Sequence, residues 1–297
     1  MKVGQDHEHV HSTESLSALS GLHLLLTYQC TFECDHCFVW SGPFQTGTMT
    51  LETIDHIIDQ AKQLGTIEWI YFEGGEAFLY YAILRSGVLQ AKEQGFKVGV
   101  VTNAYWANSE GDALEWLRPI AGSIDDLSIS SDGYHGSGDN YRNPETARAA
   151  ARQLGIPVDF ISVDECDVLF RGRAAELLAS RAPSIPWQQF TVCPWEDLRH
   201  PQRVHVDPFG YLHICQGISI GNLLERPLTE VLADFRPDEH PIVGPLLDGG
   251  PSEIVHRYEL AHKDGYADHC QLCYESRRAL RSRFPDVLTP DQMYGNA

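Results

Sequence analysis

Cysteines are the groups whose type and spacing promise chemistry in this chain of 297 residues, and seven of the eight fall into two sets. The first is "CTFECDHC", which holds Cys30, Cys34 and Cys37 directly behind the apolar run "LHLLLT". Structural zinc takes four ligands, usually from paired cysteine knuckles. This segment offers three thiols, and His36, the candidate fourth ligand, is crowded against Cys37. Iron–sulfur clusters are held by cysteine thiolates, and a four-iron cluster with three protein thiolates leaves one iron free for an outside ligand. The second set, Cys193, Cys215, Cys270 and Cys273, provides four thiols, enough for zinc or for a closed iron–sulfur cluster. Cys166 is left over in "VDECDV". A lone cysteine is commonly a small buried hydrophobe, although a place behind an apolar run also suits a hydrogen-atom donor. His7, His9 and His11 in "DHEHVH" offer metal ligands, but no cap or periodicity supports a site there and a terminal tail is expected.

The elements that must position these groups alternate. Short apolar runs at 22–27, 69–72, 96–101, 127–130 and 158–163 are separated by stretches of helical period, an α/β signature with a parallel sheet. Thr50 is placed to cap a helix whose Leu51, Ile54, Ile58, Ala61 and Leu64 share one face, with Gly65 ending it. Further helices are expected at 82–94, 112–117 and 145–154, the last after Pro144. "VLF" at 168–170 follows the fifth run too closely for a parallel crossover of a dozen residues or more, which leaves the closing edge of the barrel open. After about residue 182 prolines multiply and "RVHVD" and "YLHIC" flank "PFG", the pattern of a β-hairpin. The expected division is a tail at 1–20, a parallel α/β unit at 21–182 and an appendage at 183–297.

The spacing C-x3-C-x2-C resembles the signature of the radical S-adenosylmethionine (SAM) superfamily. That resemblance implies a partial (β/α)6 TIM-like barrel and a [4Fe-4S] cluster whose open iron chelates SAM. Reductive cleavage of SAM would then give a 5′-deoxyadenosyl radical that abstracts a substrate hydrogen atom. Companion motifs fall at successive strand ends, where parallel α/β folds place their chemistry. "YFEGGEAFL" is similar to the family's GGE motif, with Gly74 and Gly75 for close approach and Glu76 for the SAM ammonium. "VVTNAYW" supplies Thr102 and Asn103 near the SAM ribose, and "LSISSDGYHGSGDNYRN" supplies Ser130 and Arg142 for its carboxylate. His36, inside the cysteine motif, joins the cofactor-facing set, and Asp132 and Tyr134 are placed to face the substrate.

In the appendage, C…G-x4-C…C-x2-C followed by "GNLLERPLTEVL" resembles the shortened SPASM domain called twitch, which implies a second, auxiliary [4Fe-4S] cluster on Cys193, Cys215, Cys270 and Cys273. An electron-accepting cluster implies oxidative modification of a small molecule or peptide, with Asp132, Asp164 or Glu165 as candidate base. A flavodoxin or ferredoxin-like protein is implied as reductant. About 20 residues precede the first run, which favours a small molecule or a separately delivered substrate over a leader-bound peptide. The alternatives are redox-neutral epimerisation with Cys166 returning the hydrogen atom, and a non-catalytic zinc-binding protein.

Composition narrows the partners. A formal charge of -19, from 22 Lys+Arg against 41 Asp+Glu, disfavours nucleic acid, whose recognition needs clustered basic residues. No apolar run of membrane-spanning or signal-peptide length occurs, so a cytoplasmic location with no membrane partner is expected. In that compartment cysteines serve as metal ligands more readily than as disulfides.

Overall fold

Local signals set the helices. In the computed structural model, which describes residues 19–135, 141–163 and 167–296, Thr50 is extended and its hydroxyl accepts from the Thr53 amide, starting α1 (Leu51–Leu64), and Gly65 at φ 79° ends it. Ile54, Ile57, Ile58 and Ala61 form its buried face. Leu51, expected there, is 44% exposed because the first helical position lies outside the packed stripe. Helices α2 (Tyr81–Glu93), α3 (Glu110–Leu117) and α4 (Asn143–Gln153) start within two residues of their expected positions.

These helices alternate with β1 (Gly21–Thr27), β2 (Trp69–Gly74), β3 (Lys97–Thr102), β4 (Asp126–Ser130) and β5 (Val158–Ile161). All five strands pair in parallel in sequence order, as a βα-repeat requires. The second half contains α5 (Arg173–Leu177), β6 (Ile185–Pro186), β7 (Arg203–Val206), β8 (Tyr211–Cys215) and β9 (Ile218–Asn222). It continues through α6 (Leu228–Asp234), α7 (Val243–Tyr258, kinked at Gly249 and Gly250), β10 (Gly265–Tyr266) and α8 (His269–Leu280). The predicted hairpin is β7 and β8, antiparallel across "PFG".

A sixth parallel strand exists, but on the far side of the sheet. Strand β7 docks parallel to β1, giving the order β5-β4-β3-β2-β1-β7-β8-β9. "VLF" at 168–170 adopts no strand, consistent with its short crossover. Among the described residues β5 is therefore an edge.

Strand alternation divides the core. Leu22, Leu24 and Leu26 face the helices together with Val98, Val100, Leu127 and Ile129, and the same cluster takes in Val204, Val206, Leu212 and Val231. Leu25, Tyr28 and Val39 join Ile214, Ile218, Val243 and Tyr294 in a second cluster. Each cluster thus draws on both sides of position 182. At about 1.5–3 kcal/mol for each fully buried aliphatic side chain, this packing outweighs exposed ion pairs at about 0–1 kcal/mol in holding the hairpin to the barrel. No helix among the described residues is long and apolar enough to cross a membrane.

Candidate functional site

The loop after β1 carries Cys30, Cys34 and Cys37, and backbone donors already face two of its sulfurs. The Phe32 amide lies 3.4 Å from Cys30 Sγ and the Ser41 amide 3.3 Å from Cys37 Sγ. Asn103 Nδ2, from the end of β3, reaches Cys30 Sγ at 3.5 Å and Thr31 Oγ1 at 3.1 Å. Arg173 pins the loop from the other side. Its amide donates to Cys37 O at 2.9 Å, Nη1 to Cys34 O at 2.7 Å and Nη2 to Ser41 O at 2.6 Å. Burial pushes the Cys30 thiol up to about 12 and raises Cys34 as well. Such thiols stay neutral until a cation binds, because a coordinated metal deprotonates them outright. Three thiols on one loop, two of them with N–H donors on their sulfurs, suit a cluster missing one protein ligand.

A cavity of 380 Å³ opens over this loop, lined by Cys30, Cys34, His36, Cys37, Gly74, Gly75, Thr102, Asn103, Ser130 and Asp132, with Glu73, His135 and Arg171 in the same wall. Four strand ends thus converge on one face, the placement expected of a parallel α/β site. The approach is tight at Gly75, where a Cβ would lie 2.2 Å from Gln29 O. Only glycine lets the loop after β2 pack on the backbone leaving β1, as its 2.6 Å bond from the Gly75 amide to Thr27 O requires.

Glu76 does not face the cavity. Its side chain is 1% exposed; Oε1 accepts from Phe78 N (3.1 Å) and Thr102 Oγ1 (2.8 Å), and Oε2 from Asn103 N (2.7 Å). Burial pushes its carboxyl up to about 7, against those three hydrogen bonds. Its place in this structure is as the post that fixes the Thr102–Asn103 wall, rather than as a cavity-facing acceptor for an ammonium group. Arg142 is not brought to the cavity either. It is exposed and precedes the first turn of α4. Its neighbour Tyr141 turns inward instead, donating to Asn103 O at 3.0 Å and meeting the Phe32 ring edge-on.

Asp132 accepts from the Tyr134 amide (2.9 Å), the Val163 amide (3.3 Å) and His135 Nδ1 (2.8 Å). Burial raises its pKa, but the His135 contact and the amide bonds win and hold the carboxyl below its ordinary value. The His36 ring lies 4.6 Å from the Tyr134 ring at a tilt of 32°, and burial pushes its pKa down to about 4. Asp164, Glu165 and Cys166 lie outside the described residues, as do His7, His9 and His11.

The second thiol set also converges. Cys193, Cys215 at the end of β8, and Cys270 and Cys273 in the first turns of α8 line one small cavity with Arg277. Burial raises Cys215 and Cys270 and pushes Cys273 up to about 12. Arg277 is 2% exposed, and among the described residues no carboxylate pairs with it. Its donors reach Gln216 O, Cys273 O (3.4 Å) and Tyr294 Oη (3.4 Å). A buried guanidinium calls for a counter-charge, and four metal-bound thiolates provide one. The residues therefore fit a metal centre of net negative charge.

Arg171, Arg173 and Arg277 were not singled out in the sequence, although signals exist. Cys273 and Arg277 are four apart and share one helix face, and "RGR" brackets Gly172 with two cations. Arg171 lines both cavities, its guanidinium 5.7 Å from the Phe38 ring and 3.6 Å from Glu196. At Gly172 (φ 59°) a Cβ would sit 2.6 Å from both Cys37 O and Phe38 O. Gly172→Ala is expected to cost about 1–3 kcal/mol and to loosen the cysteine loop, read as lower iron retention after desalting together with an earlier urea midpoint.

Comparison with known proteins covers the first of the two thiol sets. Residues 24–167 match the family described as the Radical SAM superfamily. The chain is 31% identical over 111 residues to the "Putative peptide biosynthesis protein YydG" of Bacillus subtilis (strain 168), covering 37% of this chain and 35% of that one. It is 34% identical over 84 residues to the "S-adenosylmethionine-dependent nucleotide dehydratase" of Selenomonas ruminantium, covering 28% and 29%. The chain thus spans about a third of the length of these curated relatives. Among solved structures, BtrN in complex with AdoMet and 2-DOIA aligns with a TM-score of 0.51 at 15% identity, over 73% of this chain and 82% of that one. Native anSMEcpe with bound AdoMet aligns at 0.50 and 12%, over 90% and 97%. At these identities the likeness is one of fold.

Proposed function

Because residues 24–167 match the Radical SAM superfamily, we propose that the protein is an oxidative radical SAM enzyme in which the two thiol sets work in series. Cys30, Cys34 and Cys37 hold a [4Fe-4S] cluster with one open iron, and Cys193, Cys215, Cys270 and Cys273 hold a closed auxiliary [4Fe-4S] cluster. When bound, the first cluster and SAM supply a 5′-deoxyadenosyl radical that takes a hydrogen atom from the substrate. The observation that carries the reading is Arg171, a residue that lines both cavities. That proximity suits the passage of an electron from the SAM cavity to the second thiol set.

The chain's own groups divide the remaining work. Asn103 and Arg173 hold the cysteine loop, and the 380 Å³ cavity leaves room for a ligand over it. Asp132, held ionised, keeps the His135 Nδ1 proton in place at 2.8 Å, which leaves Nε2 to accept the proton that substrate oxidation releases. Asp132 itself, with its pKa lowered, is the weaker base, so its role here is positioning. The substrate is a peptide side chain or a small molecule, and the similarity to a protein named for peptide biosynthesis favours a peptide. A flavodoxin or ferredoxin-like protein would supply the reducing electron.

Anaerobic reconstitution followed by incubation with SAM, dithionite and cell extract tests the proposal. The expected result is 5′-deoxyadenosine above the extract-free background. A colourless protein that retains zinc and no iron would overturn it.

A further inference from the structure

We propose that His23, Glu73 and His205 form a divalent-metal site, suited to zinc, in the lumen wall of the barrel, with its open coordination position directed into the cavity that Glu73 lines. The site goes beyond the oxidative reading above and does not depend on either cluster.

Sheet register assembles it. His23 lies on β1, Glu73 on β2 and His205 on β7; His23 and His205 are register partners, and Glu73 is paired two positions further along β1, opposite Leu25. Alternation therefore points all three to the face opposite Leu22 and Leu24. Glu73 Oε1 is 3.4 Å from His23 Nδ1 and 3.1 Å from His205 Nε2, and the three donor atoms lie within 4.8 Å of one another. Zinc bonded to nitrogen and oxygen at about 2.0–2.1 Å in a tetrahedron spaces its ligands by roughly 3.3–3.4 Å, close to both of these separations.

The plainer account is a carboxylate hydrogen-bonded by two imidazoles. It falls short at the shared atom. Burial opposes ionisation of Glu73, yet the two imidazoles lie close enough to hold its carboxyl well below the ordinary range, while neither ring N–H is aimed at the buried Oε1 with full hydrogen-bond geometry. A cation between the three groups would satisfy that oxygen and both ring nitrogens together. The side chains are 13%, 14% and 15% exposed, which leaves a coordinated ion mostly desolvated.

The surroundings hold the ligands in place. The His23 ring stacks on Tyr71 at 4.6 Å with 12° between planes, and the Tyr71 hydroxyl donates to Asp126 Oδ2 at 3.2 Å. Phe38 packs 6.3 Å from His205. Two imidazoles and a carboxylate favour zinc over magnesium or calcium, which take oxygen ligands. Three protein ligands with an open position are the pattern of reactive rather than structural zinc. Because Glu73 borders the cavity that holds Cys30, Cys34 and Cys37, the open position would take water or an oxygen donor of a bound molecule, such as a carboxylate or carbonyl group.

The test uses the reconstituted 297-residue chain, desalted and titrated anaerobically with zinc chloride. Zinc and iron are counted by plasma mass spectrometry, and the zinc neighbours are read by K-edge absorption. One zinc per chain with nitrogen and oxygen neighbours only is expected. Loss of an outer-sphere partner costs about 10–100-fold in metal affinity, so His205→Ala should weaken zinc binding by at least that factor with iron content unchanged. His205→Gln, which preserves bulk and polarity, should behave alike and guards against misfolding of the first variant. Failure to retain zinc, a shell containing sulfur, or undiminished binding in folded His205→Gln would overturn the proposal.

Discussion

Cys30→Ala is expected to abolish 5′-deoxyadenosine formation, whereas Cys193→Ala should retain part of it and lose substrate turnover. Cys30 is 7% exposed, accepts from the Phe32 amide and is tied to β3 through Asn103. It is the best anchored of the three thiols, and two remaining thiols leave the first cluster without its third attachment. Cys193 belongs to the other cavity, which among the described residues shares only Arg171 with the first. Iron analysis distinguishes the two defects: each variant should fall from about eight irons per chain to about four. Only Cys30→Ala should lose SAM cleavage along with them. Equal loss of SAM cleavage in both variants would contradict two clusters in series.

Arg277→Met should be the most damaging change outside the cysteines. The guanidinium is buried beside Cys215 and Cys273 without a carboxylate partner among the described residues. It braces the end of β8 through Gln216 O and the C-terminal segment through Tyr294. Removing one member of a buried charge pair costs about 3–5 kcal/mol, because the remaining charge is left uncompensated. The expected outcome is an unfolding free energy lower by that amount in the iron-loaded protein, a lower midpoint potential of the auxiliary cluster, and preferential loss of its irons. Arg277→Lys should rescue only part of this, since a point charge does not reproduce the planar fork that spans three acceptors. Full iron content and unchanged unfolding in Arg277→Met would show that the thiol set carries no net charge for Arg277 to balance.

Much of the architecture was readable because its signals are local. The Thr50 cap, the Gly65 terminator and the alternation of apolar runs with helical periods each act within a few residues, and the structure places the elements close to where they point. The same holds for Cys30, Cys34 and Cys37, whose spacing confines them to one loop whatever surrounds it. Glu76 and Arg142 were different. Motif position marks both, but the direction of a side chain depends on what fills the space around it. Three donors hold Glu76 in the wall against the cost of desolvation, while the start of α4 leaves Arg142 exposed and Tyr141 inside.

By itself the sequence determined the chemistry available: two thiol sets, glycines that permit close backbone approach, and a parallel α/β order that carries the motifs to one end of a sheet. Tertiary structure alone decided which distant residues meet. Docking of β7 beside β1 brings His205 to His23 and Glu73, and the return of α8 sets Cys270, Cys273 and Arg277 against Cys193 and Cys215. The reason is physical. Cysteine spacing constrains a loop through the covalent chain, whereas these contacts join positions many residues apart and exist only once apolar burial has repaid the entropy of closing the chain between them.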